Sequence, residues 1–434
     1  MPVIGLESEF KVFIDDEEVM PEEVWRTPSA FIDRPLLRRT SKSSQLPTGG
    51  AVYFDGGVIE VVTPVIEIAP QCTARVVRSL WEQITFVRGQ LDRWEARSGK
   101  TVRLQAFSCH CNISFELSRE ERSRDRTIQK LAMLLAHLLP VPVIVAGANR
   151  ESTGIGVRPR RDRIEITLDF TPDPGLMAAT VALIVGIARD VIAWRSYRVD
   201  ELERRAIATI DDVAAGKHPT RNGWVVRDYH FPHNPFTTDP NARVWKSRDG
   251  NRSLREAALE VALAFRDAIR RYADPFSFRV LFAVLRGETP SLLDLKDRPS
   301  AYDDVGRAAK WGAVLPEFDN FNAGRRREDV EQLLPPWRGE AADRRTHVRL
   351  PHPRERRDRD RRRTPPAPPA PRLTRSAYER VFQQLGHGKR LKIGDEILTP
   401  VAVKGWYHTV FINGAGEERL LSIDQILHSG EWRA

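Results

Sequence analysis

Cysteine is scarce in this chain, and its scarcity excludes a good deal. Cys72, Cys109 and Cys111 are the only three in 434 residues, too few for a disulfide framework and lacking the second pair that a tetrahedral zinc site would need. Long apolar runs are missing as well. The longest, Leu176 to Ala188, stops at Arg189-Asp190 and is too short for a bilayer, so a core helix and no membrane association are expected. The opening residues Met-Pro-Val-Ile-Gly-Leu-Glu carry no charged-then-apolar leader pattern, which favours a reducing cytoplasm. No Gly-Lys-Ser/Thr follows the glycine-bearing loop Gly147 to Gly156, so it is not a Walker loop. Excess charge is absent from most of the chain. Of the formal +9, a net +7 lies between Arg344 and Arg363, where ten arginines face Glu355, Asp358 and Asp360. That concentration argues against nucleic acid as a partner of the whole protein.

What the chain does have is acids in places that read as buried strand. In Gly5-Leu6-Glu7-Ser8-Glu9-Phe10, period two sets Glu7 and Glu9 on one face and Leu6, Ser8 and Phe10 on the other. A solvated face explains one such pair, and a divalent cation held by hard oxygen ligands explains it chemically. Ala51 to Asp55, then Gly56-Gly57, then Val58 to Thr63 reads as a hairpin in which Asp55 and Glu60 converge. In the strand Leu104 to Leu117, His110, Asn112 and Ser114 share one face and Cys109, Cys111 and Ile113 the other. The pleat thereby separates imidazole from thiols and removes the zinc reading of Cys-His-Cys, while the polar face suits phosphate oxygens or a metal. In Arg163 to Phe170, Arg163, Glu165, Thr167 and Asp169 oppose Ile164, Ile166, Leu168 and Phe170. Three strands with one apolar face and one face of acids, histidine, amide and arginine describe an active-site sheet better than a solvated one.

In this order, Gly5-Leu-Glu7-Ser-Glu9-Phe, Tyr53-Phe-Asp55-x-Gly57 with Glu60 and Thr63-Pro64, Cys109-His110-x-Asn112, and Arg163 followed by Asp169 resemble the motifs of the Pup ligases and Pup deamidases. These belong to the glutamine-synthetase-like carboxylate-amine ligases. The resemblance spans Met1 to Tyr272, with the Asp55 to Glu60 spacing one residue tighter than the family pattern. It implies an α+β fold, with a glutamine-synthetase-like antiparallel sheet and helices on one face. It further implies Glu7, Glu9, Glu60, His110 and Glu165 as ligands of two or more Mg²⁺ ions bridged by ATP phosphates, and Asp55 as the aspartate that deprotonates an attacking amine.

Elementary chemistry agrees with that division of labour. Phosphoryl transfer to a carboxylate asks for metals and cations around the γ-phosphoryl group. Arg161 and Arg163 are candidates for that charge, and Asn112 and Ser114 for nucleotide contacts. An ammonium must lose a proton before it attacks, a role for Asp55.

The rest of the chain divides by composition into a catalytic part over 1–335, an Arg- and Pro-rich linker over 336–372, and a small β-rich module over 373–434. The module reads as a helix followed by strands at Arg390 to Ile393, Ile397 to Val403, Tyr407 to Ile412 and Glu418 to Ser422, joined to the catalytic part as a tethered accessory. The expected activity is ATP- and Mg-dependent joining of a carboxylate, that of a Glu in the first instance, to an amine in an amide or isopeptide bond. The substrates are protein or small-molecule acids and amines, with a Pup-like small protein among the candidates. Deamidation at the same site, a glutamate-cysteine-type small-molecule ligase and a non-catalytic adaptor remain the alternatives.

Overall fold

The structure is a computed structural model that describes residues 2–39, 43–117, 124–152, 154–207, 209–211, 215–217, 225–227, 233–309, 375–404 and 408–433. The stretch read as a linker, 336–372, lies outside the described residues.

The first strand, β1 (Val3–Ile14), alternates buried and half-buried side chains along its whole length. Around it are β2 (Glu17–Val19), β3 (Leu37–Arg38), β4 (Ser43–Gln45), β5 (Ala51–Asp55), β6 (Val58–Val62), β7 (Ile66–Glu67), β8 (Val102–Ser114), β9 (Gly156–Pro159) and β10 (Arg163–Leu168). Hydrogen bonding orders them β3, β4, β5, β6, β1, β8, β10, β9, every neighbour antiparallel. β2 and β7 pair with the two ends of β1. The expected antiparallel α+β architecture is what the chain forms. Gly56 and Gly57 close the β5–β6 hairpin at φ of 59° and 92°, left-handed values that glycine adopts without a side-chain penalty.

Helices cover the apolar face. The helix Cys72–Ser98 buries Val76, Leu80, Ile84, Val87 and Leu91 and packs on β1, β6 and β8. Phe10 from β1 meets Phe170 edge-on with ring centroids 5.2 Å apart, and Trp81 stacks on Phe170 at 5.4 Å. Phe10 and Phe170 are fully buried and Trp81 partly so, and a fully buried side chain of this kind contributes about 1.5–3 kcal/mol. The helix Pro174–Ile192 is longer than the apolar run suggests and has the length and composition of a membrane span. Every residue from Pro174 to Ala188 is nevertheless buried inside the protein, which accounts for its hydrophobicity on all sides.

Pro140 and Pro142 do not stop the helical run. Ile128–Leu138 ends there, but Pro140 opens a second helix, Pro140–Gly147, bent by 53° from the first, since a proline in the first turn forfeits no hydrogen bond. The C-terminal part makes its own contacts with the sheet. Its helix Arg375–Gly386 and strands Arg390–Ile393, Glu396–Lys404, His408–Ile412 and Glu418–Ser422 lie where the sequence places them, followed by a helix Ile423–Ser429 capped by Ser422. They are not held by a tether alone. Phe382, Leu385, Leu391, Phe411 and Ile426 form an apolar cluster that takes in Val65, with Val3 and Leu37 packed against it. Ala402 pairs with Arg38 of β3, and Gly386 lies so close to Leu46 that an added Cβ would come within 2.6 Å of the Leu46 carbonyl oxygen.

Candidate metal and nucleotide site

Directly opposed residues on neighbouring strands share a face, so register decides which polar groups meet. Glu9 lies opposite Glu60 on β6 and Ser108 on β8, and Glu7 opposite His110. One strand further, His110 faces Thr167, Asn112 faces Glu165 and Ser114 faces Arg163. On the other side Tyr53 opposes Glu60, and Asp55 opposes Val58 at the hairpin end.

The carboxylate oxygens of Glu7 and Glu60 and a ring nitrogen of His110 all lie within 4.8 Å of one another. His110 Nδ1 is 3.9 Å from Glu7 Oε2 and 3.9 Å from Glu9 Oε1. Each outer carboxylate is steadied by a hydroxyl: Ser108 donates to Glu9 Oε2 at 2.5 Å, and Tyr53 donates to Glu60 Oε1 at 2.5 Å. β7 and the segment before it hold this end of the sheet in place, with Thr63 Oγ1 accepting from Leu6 N at 3.0 Å and Thr63 N donating to Leu6 O at 2.9 Å.

Three carboxylates on one half-buried patch cannot all carry a full charge. Burial, and then the charge of Glu7, push Glu60 up to about 9 despite the Tyr53 hydrogen bond. Burial also works against Glu7, but the hydrogen bond and charge of His110, with Arg163 beyond, hold Glu7 below the ordinary carboxylate value. For His110 burial favours the neutral ring, yet the hydrogen bond to Glu7 and the charges of Glu9 and Glu165 raise it above the ordinary imidazole value. Burial and the neighbouring Glu7 and Glu60 keep Tyr53 a phenol, able to donate. The cluster therefore stores protons where a cation would remove them. Its oxygen-rich donor set matches Mg²⁺. Thr167 Oγ1, which is buried, has no hydrogen-bond partner among the described residues, which leaves a hydroxyl for ligand oxygens.

Four of the sequence candidates stand apart from this cluster. Glu165 is buried, but both its oxygens are taken: Arg158 Nε donates to Oε1 at 2.7 Å and Arg160 Nε to Oε2 at 2.9 Å. It is the counter-ion of two arginines rather than a spare metal ligand. Arg161 is exposed. The bond from Arg160 N to Arg163 O closes the β9–β10 turn and puts Arg161 at its tip, so the cations facing the sheet are Arg158 and Arg160. Ser114 spends its hydroxyl on Val3 N at 2.9 Å. Asp55 is exposed at the hairpin end, yet its charge still reaches Glu60 and Tyr53. Arg163 stays on the polar face, with Nε donating to Asn112 Oδ1 at 2.8 Å.

Sequence reasoning gave no role to Tyr53, Thr167, Arg158 or Arg160. Tyr53 could have been found, because it alternates with Asp55 and so shares the face of Glu60. Cys109 and Cys111 are fully buried on the opposite face, with Ser8 donating to Cys109 Sγ at 3.3 Å. The pleat does separate them from His110. Asp169, at the far end of β10, holds a loop: it accepts from Asn149 N at 2.9 Å and from Ser152 Oγ at 2.8 Å, and burial pushes it up to about 6.

Neither a family model nor a curated protein sequence matches the chain. A solved structure does share its fold. The crystal structure of the complex between Prokaryotic Ubiquitin-like Protein Pup and its ligase PafA superposes with a TM-score of 0.52, over 98% of this chain and 90% of that one. Identity over the match is 11%, so the likeness is one of fold.

Proposed function

We propose that the protein is an ATP- and Mg²⁺-dependent ligase that activates a carboxylate by phosphorylation and joins it to an amine. The observation that carries this reading is the convergence of Glu7, Glu60 and His110 within 4.8 Å on the polar face of an antiparallel sheet, with Glu9 beside them. The fold shared with a Pup ligase supports it, as does the glutamine-synthetase-like order of the motifs.

Glu7, Glu9, Glu60 and His110 would hold the metal, which when bound supplies positive charge to the phosphates of ATP during transfer. Arg163, fixed by Asn112, and the pair Arg158 and Arg160, oriented by Glu165, face the same side of the sheet and stabilise charge on the moving phosphoryl group. The substrate carboxylate oxygen attacks the γ-phosphorus, ADP leaves and an acyl phosphate forms. Asp55, on the exposed end of the β5–β6 hairpin, takes a proton from the incoming ammonium. The free amine then attacks the acyl carbon and inorganic phosphate departs, leaving the amide. Residues 373–434 complete the body of the enzyme against β3 and β7 in this reading, with 336–372 joining the two parts.

The test is to incubate purified protein with ATP, Mg²⁺ and panels of acids and amines, following ADP, phosphate and product mass together. Stoichiometric ADP, phosphate and a condensed product support the ligase. Release of ammonia from amide substrates, with no ADP formed, would replace it with the hydrolytic reading.

A further inference from the structure

The helix Cys72–Ser98 begins with cations where a helix favours anions. Its first two turns hold no acidic residue, while Arg75 and Arg78 stand three apart on one side. The positive end of the helix dipole disfavours both, and like charges at that spacing repel each other. An anion resting between them removes both penalties.

Both arginines line a cavity of about 200 Å³ at the seam with the C-terminal part, whose helix Arg375–Gly386 contributes Phe382 and Gln383 to the wall. That volume is below the range of pockets for drug-sized ligands and suits a small ion. Arg78 is exposed and makes no ion pair among the described residues, with Glu82 one turn on included. Ser79 lines the same cavity and is only 8% exposed. Its backbone carbonyl accepts from Gln83 Nε2 at 3.2 Å, while its hydroxyl makes no hydrogen bond among the described residues. A buried hydroxyl left unsatisfied beside two guanidinium groups points to a ligand oxygen. The helix packs on the apolar face of the sheet, whereas Glu7, Glu60 and His110 converge on the polar face, so the two sites are separate.

We propose that this cavity binds a phosphate dianion, as the free ion or as the phosphate of a small ester, between Arg75, Arg78 and Ser79. Two guanidinium forks and a hydroxyl offer donors to three or more oxygens. A tetrahedral dianion supplies them, and a single carboxylate does not. Because Gln383 belongs to the C-terminal part, the bound phosphate sits where residues 373–434 meet the helix that backs the catalytic sheet. This inference is independent of the ligase reading.

Calorimetric titration of the full chain in metal-free buffer tests it, with inorganic phosphate and glycerol 3-phosphate as probes and glutarate as the carboxylate control. At least one phosphate probe should bind more tightly than glutarate, and the tighter of the two names the source of the ligand. Arg78→Gln, at an exposed position, should weaken that binding about tenfold or more, the loss expected for one charge-assisted hydrogen bond. Ser79→Ala should weaken it severalfold. That variant should fold at least as well as the wild type, since alanine is the better helix former and no hydrogen bond within the chain is lost. No binding of either phosphate, equal binding of glutarate, or indifference to both substitutions overturns the proposal. So does binding that is lost in Arg163→Gln and kept in Arg78→Gln, which would put the phosphate on the polar face of the sheet.

Discussion

Glu9 and Glu60 face each other directly across the ladder between β1 and β6, two carboxylates in adjacent strands with Glu7 beside them. Like charges placed so cost stability unless something neutralises them, and here a proton on Glu60 does so.

That proton has a pH signature. Glu60 rises from 4.5 to about 9 on folding, so its contribution is fully present below the unfolded value and is lost as pH rises through the folded one. Between those limits the folded state binds the extra proton, and stability falls with a slope of up to about 1.4 kcal/mol per pH unit from this group. Thermal melts in EDTA from pH 5 to 9 should show a steeper decline for the wild type than for Glu60→Gln. Parallel curves would remove Glu60 from the role.

Cation binding should expel the same proton. At pH 7 without metal Glu60 is protonated, so Mg²⁺ binding should release on the order of one proton per site. Calorimetry in two buffers of different ionisation enthalpy measures it. Heats that do not depend on the buffer contradict the assignment.

The strand faces were legible from sequence because period two is rigid: Leu6, Phe10, Cys109, Ile164 and Ile166 are buried, and Glu7, Glu9 and His110 lie on the other side. What stayed hidden depends on backbone irregularity or distant contacts. The bulge at Phe107 reverses the alternation of β8, bringing Gln105 opposite Lys11 on the polar side, and nothing in the residue types announces it. Arg161 stands beside Arg163 in sequence as a candidate cation, but the turn closed by the bond from Arg160 N to Arg163 O carries Arg161 to its tip. The docking of Phe382 and Leu385 against Val65 joins segments some three hundred residues apart, beyond the reach of any local pattern.

Cys109→Ser and Cys111→Ser should leave activity intact and lower stability, because a hydroxyl replaces a buried thiol on the apolar face, at a cost of about 1–3 kcal/mol. Activity assays alongside chemical denaturation check this. Activity lost together with bound zinc would mean that the thiols belong to the site.

Trypsin has ten arginines to cut between Arg344 and Arg363. If the C-terminal part is seated by Val3, Leu37 and Val65 and by the Ala402 to Arg38 pairing, the nicked halves should co-elute on size exclusion and separate only in denaturant. Two separate peaks under native conditions would restore the simple tether.

The most direct test of the site is titration of ATP into the wild type and Glu60→Gln at pH 7, with and without Mg²⁺. Binding should be measurable only for the wild type with Mg²⁺, while the variant keeps its circular dichroism and melts no lower than the wild type. Equal affinity in the two proteins, or affinity indifferent to Mg²⁺, would contradict the assignment of Glu7, Glu9, Glu60 and His110 as the centre of the chemistry.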